Sequence, residues 1–192
     1  MFQTPIKYAN LFTLTALTFA FVPAILPSAQ AQTASLPAGT AAPLFTTTDL
    51  AGKTVDLKAL RGRVVLVDFW ATWCPPCVAA MPMLQSLHKK FGERGLKVIG
   101  LSVDDDSTMG EVPKLKKAKS LTYILSANPK ANQITAEKYK VEPLPALFLI
   151  DQKGVVRWST SGVDSSDEKK VLTRMITDLL AAKPATTKVV HK

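Results

Sequence analysis

The sequence predicts an α/β fold in which a central mixed β-sheet is flanked by helices on both faces. Short β-branched runs alternate with segments whose apolar residues recur every three or four positions. The run Val64–Trp70 is almost continuously apolar, as in a central strand that is buried on both faces. The last two predicted strands, Ala146–Ile150 and Val155–Ser159, bracket a hairpin turn, which makes them antiparallel. Together these observations predict a mixed sheet covered by helices.

Residues 1–31 have the pattern of a secretory signal peptide. Lys7 is their only charged residue, an apolar run extends from Leu11 to Leu26, and the stretch ends in Ala29-Gln30-Ala31. This order predicts export and cleavage after Ala31. The alternative is an uncleaved membrane anchor, but the apolar run is short for a hydrocarbon core of about 30 Å and contains Pro23.

The ordered domain is predicted to cover residues 44–182, between a flexible leader, 32–43, and a flexible basic tail, 183–192. Its first element is an N-terminal β-hairpin, because Thr and Val suit strands and Gly52 permits the turn between them. The predicted hairpin strands, the central strand and the first helix are Phe45–Thr48, Lys53–Leu57, Val64–Trp70 and Cys77–Phe91.

The first helix shows apolar spacings of three and four, and Pro82 inside it is expected to cause a kink. After it, strand and helix patterns alternate as far as the final hairpin, and a helix closes the domain. The predicted ranges are strand Leu96–Val103, helix Glu111–Lys119, strand Leu121–Leu125, helix Asn132–Lys140, strands Ala146–Ile150 and Val155–Ser159, and helix Asp167–Ala181.

The charge of the chain is basic but dispersed. The formal net charge is +9, so removal of Lys7 with the signal peptide would leave +8. The densest clusters, Lys114–Lys119 and the tail from Lys183, lack interleaved aromatic residues that would stack on bases. We therefore expect no nucleic-acid partner, whereas transient association with an anionic membrane surface or an acidic partner stays open.

The chain contains two cysteines, Cys74 and Cys77, which are separated by Pro75 and Pro76. A structural disulfide across so short a loop would stabilise the fold little. At a helix start, unpaired backbone N–H groups and the helix dipole favour a thiolate on the first cysteine. Exchange also needs a second thiol close enough to resolve the mixed disulfide. We therefore expect Cys74 to attack and Cys77 to resolve, with the two prolines stiffening the turn.

A metal site would need more ligands than the chain offers. A tetrahedral site takes four ligands, but the two cysteines are accompanied only by His88, expected on the helix surface, and His191 near the chain end. We expect no metal and no cofactor besides the redox-active disulfide Cys74–Cys77. A non-catalytic module in which the dithiol binds Cu(I) is the alternative from a different functional class.

The two richest motifs resemble signatures of the thioredoxin superfamily, and within it the exported TlpA/ResA-type thiol-disulfide oxidoreductases. The first motif is Val67–Cys77, with Pro82 at the expected position in the following helix. The second is Tyr139–Asp151, followed by Gly154 and Gly162. The resemblance covers about Leu44 to Leu180 and implies a thioredoxin fold with an N-terminal hairpin extension.

The resemblance also implies roles for residues around the thiols. Pro145 would be a cis-proline that faces the disulfide and, with Leu144, aligns a substrate chain as an extended strand. Trp73 would shield the thiols and contact partners. An ordinary turn proline in Pro143-Leu144-Pro145 and an aromatic residue used only for packing are the structural alternatives.

Asp68 is the third candidate catalytic residue. A carboxylate inside an apolar strand is expensive unless it has a partner or a task, and burial should raise its pKa. It could then accept the proton of Cys77 during resolution, although an aspartate turned to solvent is the alternative. Two positions depart from relatives: Ala80 stands where such reductases often carry an acid, and Gly100 aligns with the lysine that partners the buried aspartate of thioredoxins.

The function implied by the resemblance is periplasmic reduction of disulfides in exported apoproteins, of the cytochrome c or metalloprotein biogenesis type. A membrane electron donor of the DsbD/CcdA kind would re-reduce the Cys74–Cys77 pair. An oxidant that introduces disulfides is the alternative within the same enzyme class. A peroxidase is disfavoured, since that chemistry uses a cysteine in a Thr-x-x-Cys setting.

Overall fold

A computed structural model describes residues 36–162 and 165–182 of the chain. The predicted signal peptide and the basic tail from Lys183 lie outside the described residues, as does the first part of the predicted leader. Among the residues described, no helix combines the length and the apolar character that crossing a membrane requires. The elements in chain order are β1 (Thr46–Thr48), β2 (Thr54–Asp56), a short 3-10 helix (Lys58–Leu60), β3 (Val64–Trp70), α1 (Pro75–Phe91), β4 (Leu96–Ser102), α2 (Glu111–Ala118), β5 (Ile124–Ser126), α3 (Pro129–Lys138), β6 (Ala146–Ile150), β7 (Val156–Ser161) and α4 (Ser165–Ala181).

The main sheet has five strands in the order β5-β4-β3-β6-β7. Strands β3, β4 and β5 run parallel, whereas β6 is antiparallel to both β3 and β7. This topology confirms the predicted mixed sheet. Strand β3 lies at the centre and is buried along its whole length, which explains its continuous apolar sequence.

Alternation along β3 divides the core into two apolar clusters. Leu66 and Trp70 face buried residues of α1 and α4, such as Met81 and Leu172. Val67 and Phe69 lie in the second cluster, whose members from outside the sheet are Leu36, Ala42, Phe45, Val55, Leu57 and Tyr139. Side chains therefore cover both faces of the sheet, as a doubly covered α/β fold requires.

The N-terminal hairpin is present as a separate two-stranded sheet, β1-β2. Thr47 attaches it to the main domain, because its Oγ1 lies 2.7 Å from Ser126 Oγ and donates to Asn132 Oδ1 at 3.0 Å. Asn132 in turn donates through Nδ2 to the backbone carbonyl of Ser102 at 2.9 Å. One buried polar network thus joins the hairpin, α3 and the carboxyl end of β4.

The predicted start of order at Leu44 is wrong. Leu36 and Ala42 are already buried, and the backbone between them bonds to the end of the main sheet. Gly39 N–H donates to the Val156 carbonyl at 2.8 Å, and Ala42 N–H donates to the Gly154 carbonyl at 2.9 Å. Residues 36–43 are therefore part of the domain, because they bury apolar side chains and satisfy backbone groups beside β7.

Several element boundaries differ from the predictions. Strand β5 begins at Ile124 rather than Leu121. Helix α3 begins at Pro129, because Asn128 caps it by accepting the Ala131 N–H at 3.2 Å and Pro129 suits the first helical position. The same helix ends at Lys138, shortly before Lys140 adopts a positive φ of 53°.

Candidate active site

Cys74 and Cys77 form a disulfide at the entry to α1. Cys74 is the N-cap residue, and its Sγ accepts the Cys77 backbone N–H at 3.3 Å. The side chain of Cys74 retains 5% of its exposure and that of Cys77 only 1%. An incoming sulfur can therefore reach Cys74 before it can reach Cys77.

The start of α1 is electrostatically suited to a sulfur anion. Pro75 and Pro76 occupy the first helical positions, where a missing N–H is harmless. The first turn carries no acidic residue, whereas His88, Lys89 and Lys90 lie in the last turn. The positive end of the helix dipole and the Cys77 N–H therefore act together at Cys74 Sγ.

Asp104 holds the loop that precedes the disulfide. This carboxylate is 1% exposed and accepts the Thr72 backbone N–H at 2.9 Å and the Thr72 hydroxyl at 2.5 Å. It also accepts the Ser102 hydroxyl at 2.5 Å. Sequence reasoning missed this residue, although an acid just beyond a buried parallel strand was a usable signal, since side chains there meet the end of β3.

An open groove of about 630 Å³ runs beside Cys74. The start of α1 forms one wall, and α3 with the segment leading to β6 forms the other. Trp73 stands at its edge with 61% of its side chain exposed, and it also lines a second, smaller concavity next to α2. The residues that line the groove are Trp73, Cys74, Pro75, Pro76, Val103, Gln133, Ala136, Glu137, Val141, Glu142 and Leu144.

The Leu144–Pro145 peptide bond is cis, the geometry expected at this position. Leu144 is half-buried and lines the groove, and Pro145 is buried immediately before β6. The Pro145 carbonyl accepts the Gly162 N–H at 2.8 Å, which fixes this turn to the end of β7. The fold thus brings Leu144, Trp73 and Cys74, which are distant in sequence, to one groove.

Asp68 is buried in β3, with 1% of its side chain exposed, and does not turn to solvent. It pairs with Gly100 of β4 on one side and with Leu147 of β6 on the other. Within the described residues its Oδ1 has no hydrogen-bond partner. Burial raises the pKa of this carboxyl to about 8.

Gly100 explains why no lysine accompanies Asp68. A Cβ at this position would lie 2.6 Å from Leu125 Cδ2 and 3.0 Å from Trp70 Nε1. The side chains of Leu125 and Trp70 therefore occupy the space that a longer residue would need. Ala80 is likewise buried, so an acid at that position would also be removed from solvent.

His88 is not a simple surface residue, because it is half-buried and its ring centroid lies 6.4 Å from that of Tyr123. Burial, followed by the charge of Lys97, lowers its pKa. It lies about 16 Å beyond Cys77 along the helix axis, too far to share a ligand set with the thiols. The part of the chain that the structure describes contains no group of three or more His, Cys, Asp or Glu residues that could hold a metal ion.

Comparison with known proteins places this geometry among thiol-disulfide oxidoreductases. Residues 38–159 match the sequence profile of the AhpC/TSA family. The chain is 37% identical over 139 residues to the thiol-disulfide oxidoreductase ResA of Bacillus cereus, covering 72% of this chain and 78% of that protein.

Two solved structures are similar in fold. The thioredoxin domain of a thiol-disulfide oxidoreductase from Bacteroides vulgatus is 25% identical with a TM-score of 0.66, covering 74% of this chain and 99% of that one. A thiol:disulfide interchange protein of the thioredoxin family from Chlorobium tepidum is 26% identical with a TM-score of 0.64, covering 76% and 99%. The predicted thioredoxin fold is therefore confirmed.

Proposed function

Because the chain belongs to the AhpC/TSA family and is a thiol-disulfide oxidoreductase of the thioredoxin fold, we propose that it reduces disulfides in exported apoproteins. The observation that carries this proposal is the unequal exposure of the two sulfurs at the start of α1. Cys74 can be reached from the groove, whereas Cys77 is enclosed behind it. A dithiol arranged in this way is suited to attack with one sulfur and to resolve with the other.

In the proposed reaction, the Cys74 thiolate attacks one sulfur of a substrate disulfide. The substrate S–S bond breaks, one substrate thiolate leaves, and a mixed disulfide joins Cys74 to the substrate. Cys77 then loses its proton and attacks the Cys74 sulfur, so that the second substrate thiolate leaves and the Cys74–Cys77 disulfide forms. Two electrons pass from the enzyme to the substrate, and the helix start stabilises the first thiolate.

Asp68 would accept the proton that Cys77 releases in the second step. Its raised pKa, about 8, lies close to the ordinary thiol range, so proton exchange between the two groups would be nearly balanced. Asp68→Ala should slow resolution of the mixed disulfide. An unchanged pH profile of thiol exchange in this variant would contradict the role.

The groove would hold the substrate as an extended chain. Leu144 before the cis-proline Pro145 would align the chain, and exposed Trp73 would cover the scissile disulfide. Pro75 and Pro76 would keep the sulfurs in register, and they also line the groove.

The proposed location is the periplasm, reached through a signal peptide cleaved after Ala31. A membrane electron donor of the DsbD/CcdA kind would return the disulfide to the dithiol. Substrates would be disulfide-containing exported apoproteins, of the cytochrome c or metalloprotein biogenesis type. The signal pattern of residues 1–31 and the similarity to ResA proteins support this setting.

The test is reduction of insulin by the purified chain compared with its Cys74→Ser variant. Activity that disappears in the variant supports the enzyme. Absence of activity in both proteins, together with tight Cu(I) uptake, would instead favour the copper-handling alternative. A Cys77→Ala variant should hold its natural substrate on Cys74 as a mixed disulfide that mass spectrometry can identify.

The direction of electron flow has its own measurement. Equilibration of the Cys74–Cys77 pair with a glutathione buffer gives its reduction potential. A strongly reducing value is expected for a reductant. A strongly oxidising value would assign the chain to the class that introduces disulfides.

A further inference from the structure

Three buried polar atoms beneath α1 have no hydrogen-bond partner within the described residues. They are Asp68 Oδ1, Trp70 Nε1 and Tyr123 Oη, and His88 Nδ1 of α1 itself, whose ring lies beside Tyr123, is a fourth buried atom without such a partner. Native proteins satisfy nearly all buried polar atoms, so a group of such atoms in one region requires an explanation. Their chemistry is complementary, because an indole N–H and a phenol O–H are donors and an ionised carboxylate accepts only.

Sheet register and core contacts place the three side chains on the same face. Asp68 pairs with Gly100, and Gly100 pairs with Leu125 of β5. Trp70 lies two residues beyond Asp68 on β3, so alternation directs both to the face that α1 covers, whereas Tyr123 directly precedes β5 and is placed by its core contacts. Trp70, Tyr123 and Leu125 accordingly share one core cluster with the buried side of α1.

The absence of a side chain at Gly100 lets residues of the flanking strands meet above β4. The Trp70 indole and Leu125 already fill the space directly over this glycine. Tyr123 is 1% exposed and lies within electrostatic range of Asp68, whose charge adds to burial in raising the pKa of the phenol. The phenol therefore keeps its proton near neutral pH and remains a hydrogen-bond donor.

We propose that Tyr123 is a positioning residue for the resolving step, which donates a hydrogen bond to ionised Asp68, directly or through one water molecule. It thereby sets the pH range in which Asp68 can take the proton of Cys77. The inference rests on the proposed role of Asp68. In the step itself, the Cys77 proton moves to Asp68, the Cys77 sulfur attacks Cys74, and the substrate leaves as a thiolate. Tyr123 keeps its own proton throughout.

Other titratable groups lie on the elements packed against this face of the sheet. Helix α1 contributes Cys77 and His88; the His88 ring centroid lies 6.4 Å from that of Tyr123, and the charge of Lys97 acts on His88. From α4, Glu168 accepts a hydrogen bond from the Thr160 hydroxyl. Thr160 pairs with Leu147 across the sheet, and Leu147 pairs with Asp68. Paired residues on β4 and β6, Gly100 and Leu147, carry no charge. Next to β5, Tyr123 contributes a titratable phenol to the sheet face that α1 covers.

The experiment follows the reaction of the reduced chain with the disulfide dimer of thionitrobenzoate. This reaction releases thionitrobenzoate in two phases. The first phase reports attack by Cys74, and the second reports resolution by Cys77. Tyr123→Phe should move the Asp68-dependent inflection of the second phase upward by about one pH unit, the size expected for one hydrogen bond to a charged group. At pH 7 the second phase should slow by up to about tenfold, while the first phase keeps its rate.

Tyr139→Phe is the matched control, because Tyr139 is equally buried but lies in the other core cluster and donates to the Pro43 carbonyl. It should leave the inflection in place. Asp68→Asn should abolish the inflection, and Tyr123→Phe added to it should change nothing further. If Tyr123→Phe fails to fold, site-specific fluorotyrosine at position 123 replaces it. This residue keeps the shape of tyrosine but is a stronger hydrogen-bond donor, so it should move the inflection downward.

An inflection that stays in place in Tyr123→Phe, or a shift that persists in the Asp68→Asn background, would overturn this inference. Neither result touches the proposed function, which in this experiment would fail if the wild-type chain released no second equivalent. The two failures are therefore distinguishable in one set of traces.

Discussion

Asp68 dominates the chemistry at the residue scale, because its carboxyl is buried and its Oδ1 has no hydrogen-bond partner among the described residues. Its folded-state pKa is about 8, against an ordinary value of 3.8. Between these values the folded chain holds a proton that the unfolded chain has released. The free energy of unfolding should therefore decrease as pH rises through this window, and the decrease should stop above about pH 8.

Asp68→Asn should remove this dependence, because an amide cannot ionise. Relative to wild type, the variant should become more stable as pH rises from about 4 to 8, by up to about 1.4 kcal/mol per pH unit. Urea unfolding of the oxidised proteins across this range measures the difference. Parallel stability curves for the two proteins would show that Asp68 ionises normally in the folded state.

Asp151 is the matched control for this measurement. Although burial opposes it, the Val155 N–H and the Arg157 side chain, which lies 2.7 Å from the carboxylate, hold the pKa of Asp151 below its usual value. Its contribution is present above the unfolded pKa and is lost as pH falls. Asp151→Asn should therefore destabilise the chain at neutral pH and converge with wild type in acid, the opposite trend.

Asp104 acts through geometry rather than through proton transfer, since it holds Thr72 two residues before Cys74. Asp104→Ala would leave the Thr72 N–H, the Thr72 hydroxyl and the Ser102 hydroxyl without their acceptor, at about 1–3 kcal/mol of stability. We expect insulin reduction to fall severalfold in kcat/KM, because the loop no longer fixes the start of α1. Thr72→Val, which removes only one of these bonds, should have a smaller effect. Equal activity of Asp104→Ala and wild type would contradict this.

At the element scale, the predicted start of α1 lies two residues from the observed one, whereas the predicted starts of β5 and α3 each lie three residues away. The first depends on local chemistry: two prolines and a capping cysteine act within one turn. Strand β5 is short and its predicted start, Leu121, is buried outside the strand, so hydrophobicity alone misplaced it. The start of α3 was missed because Asn128 before Pro129 was not interpreted as a cap.

The hairpin β1-β2 depends on contacts between elements. Asn132 of α3 accepts from Thr47 and donates to the Ser102 and Ser126 carbonyls. Asn132→Ala should destabilise the domain by about 2–3 kcal/mol, because several buried groups lose partners. Hydrogen exchange should show the largest loss of protection in β1 and β5. Exposed Gln133 of the same helix is the matched control, and Gln133→Ala should leave stability within about 0.5 kcal/mol of wild type.

At the scale of the whole molecule, the sequence predicted the mixed sheet, the placement of both cysteines and the antiparallel end of the sheet. These depend on strong local signals: a continuous apolar strand, a Cys-x-x-Cys run and a hairpin turn. The groove could not be predicted, because it joins segments that are far apart in the chain, and the position of Asp104 just beyond a buried strand indicated a site residue without indicating its contact with Thr72. The leader was misjudged because its Ala-, Thr- and Pro-rich composition conceals Leu36, which is buried only in the folded domain.

Residues 36–43 therefore contribute to the free energy of unfolding of the whole domain. A chain that begins at Leu44 loses the buried Leu36 and Ala42 side chains and the bonds to Gly154 and Val156. We expect its free energy of unfolding to be lower by about 2–4 kcal/mol, chiefly from exposing Leu36 and uncovering backbone groups. Differential scanning calorimetry measures this, with a chain that begins at Leu36 as the control. An equal transition temperature for both chains would refute the contribution.

Residues 36–43 and the hairpin that follows them together reach both outer strands of the five-stranded sheet. Residues 39–42 bond to the chain at the start of β7, and the Leu50 N–H of the hairpin turn donates to the Leu125 carbonyl of β5 at 3.1 Å. Open strand edges invite pairing with other chains, and proteins that cover them avoid aggregation. The hairpin extension thus also protects the molecule from edge-to-edge association with neighbouring copies. Variants that loosen this segment should form aggregates at concentrations at which the intact chain stays in solution.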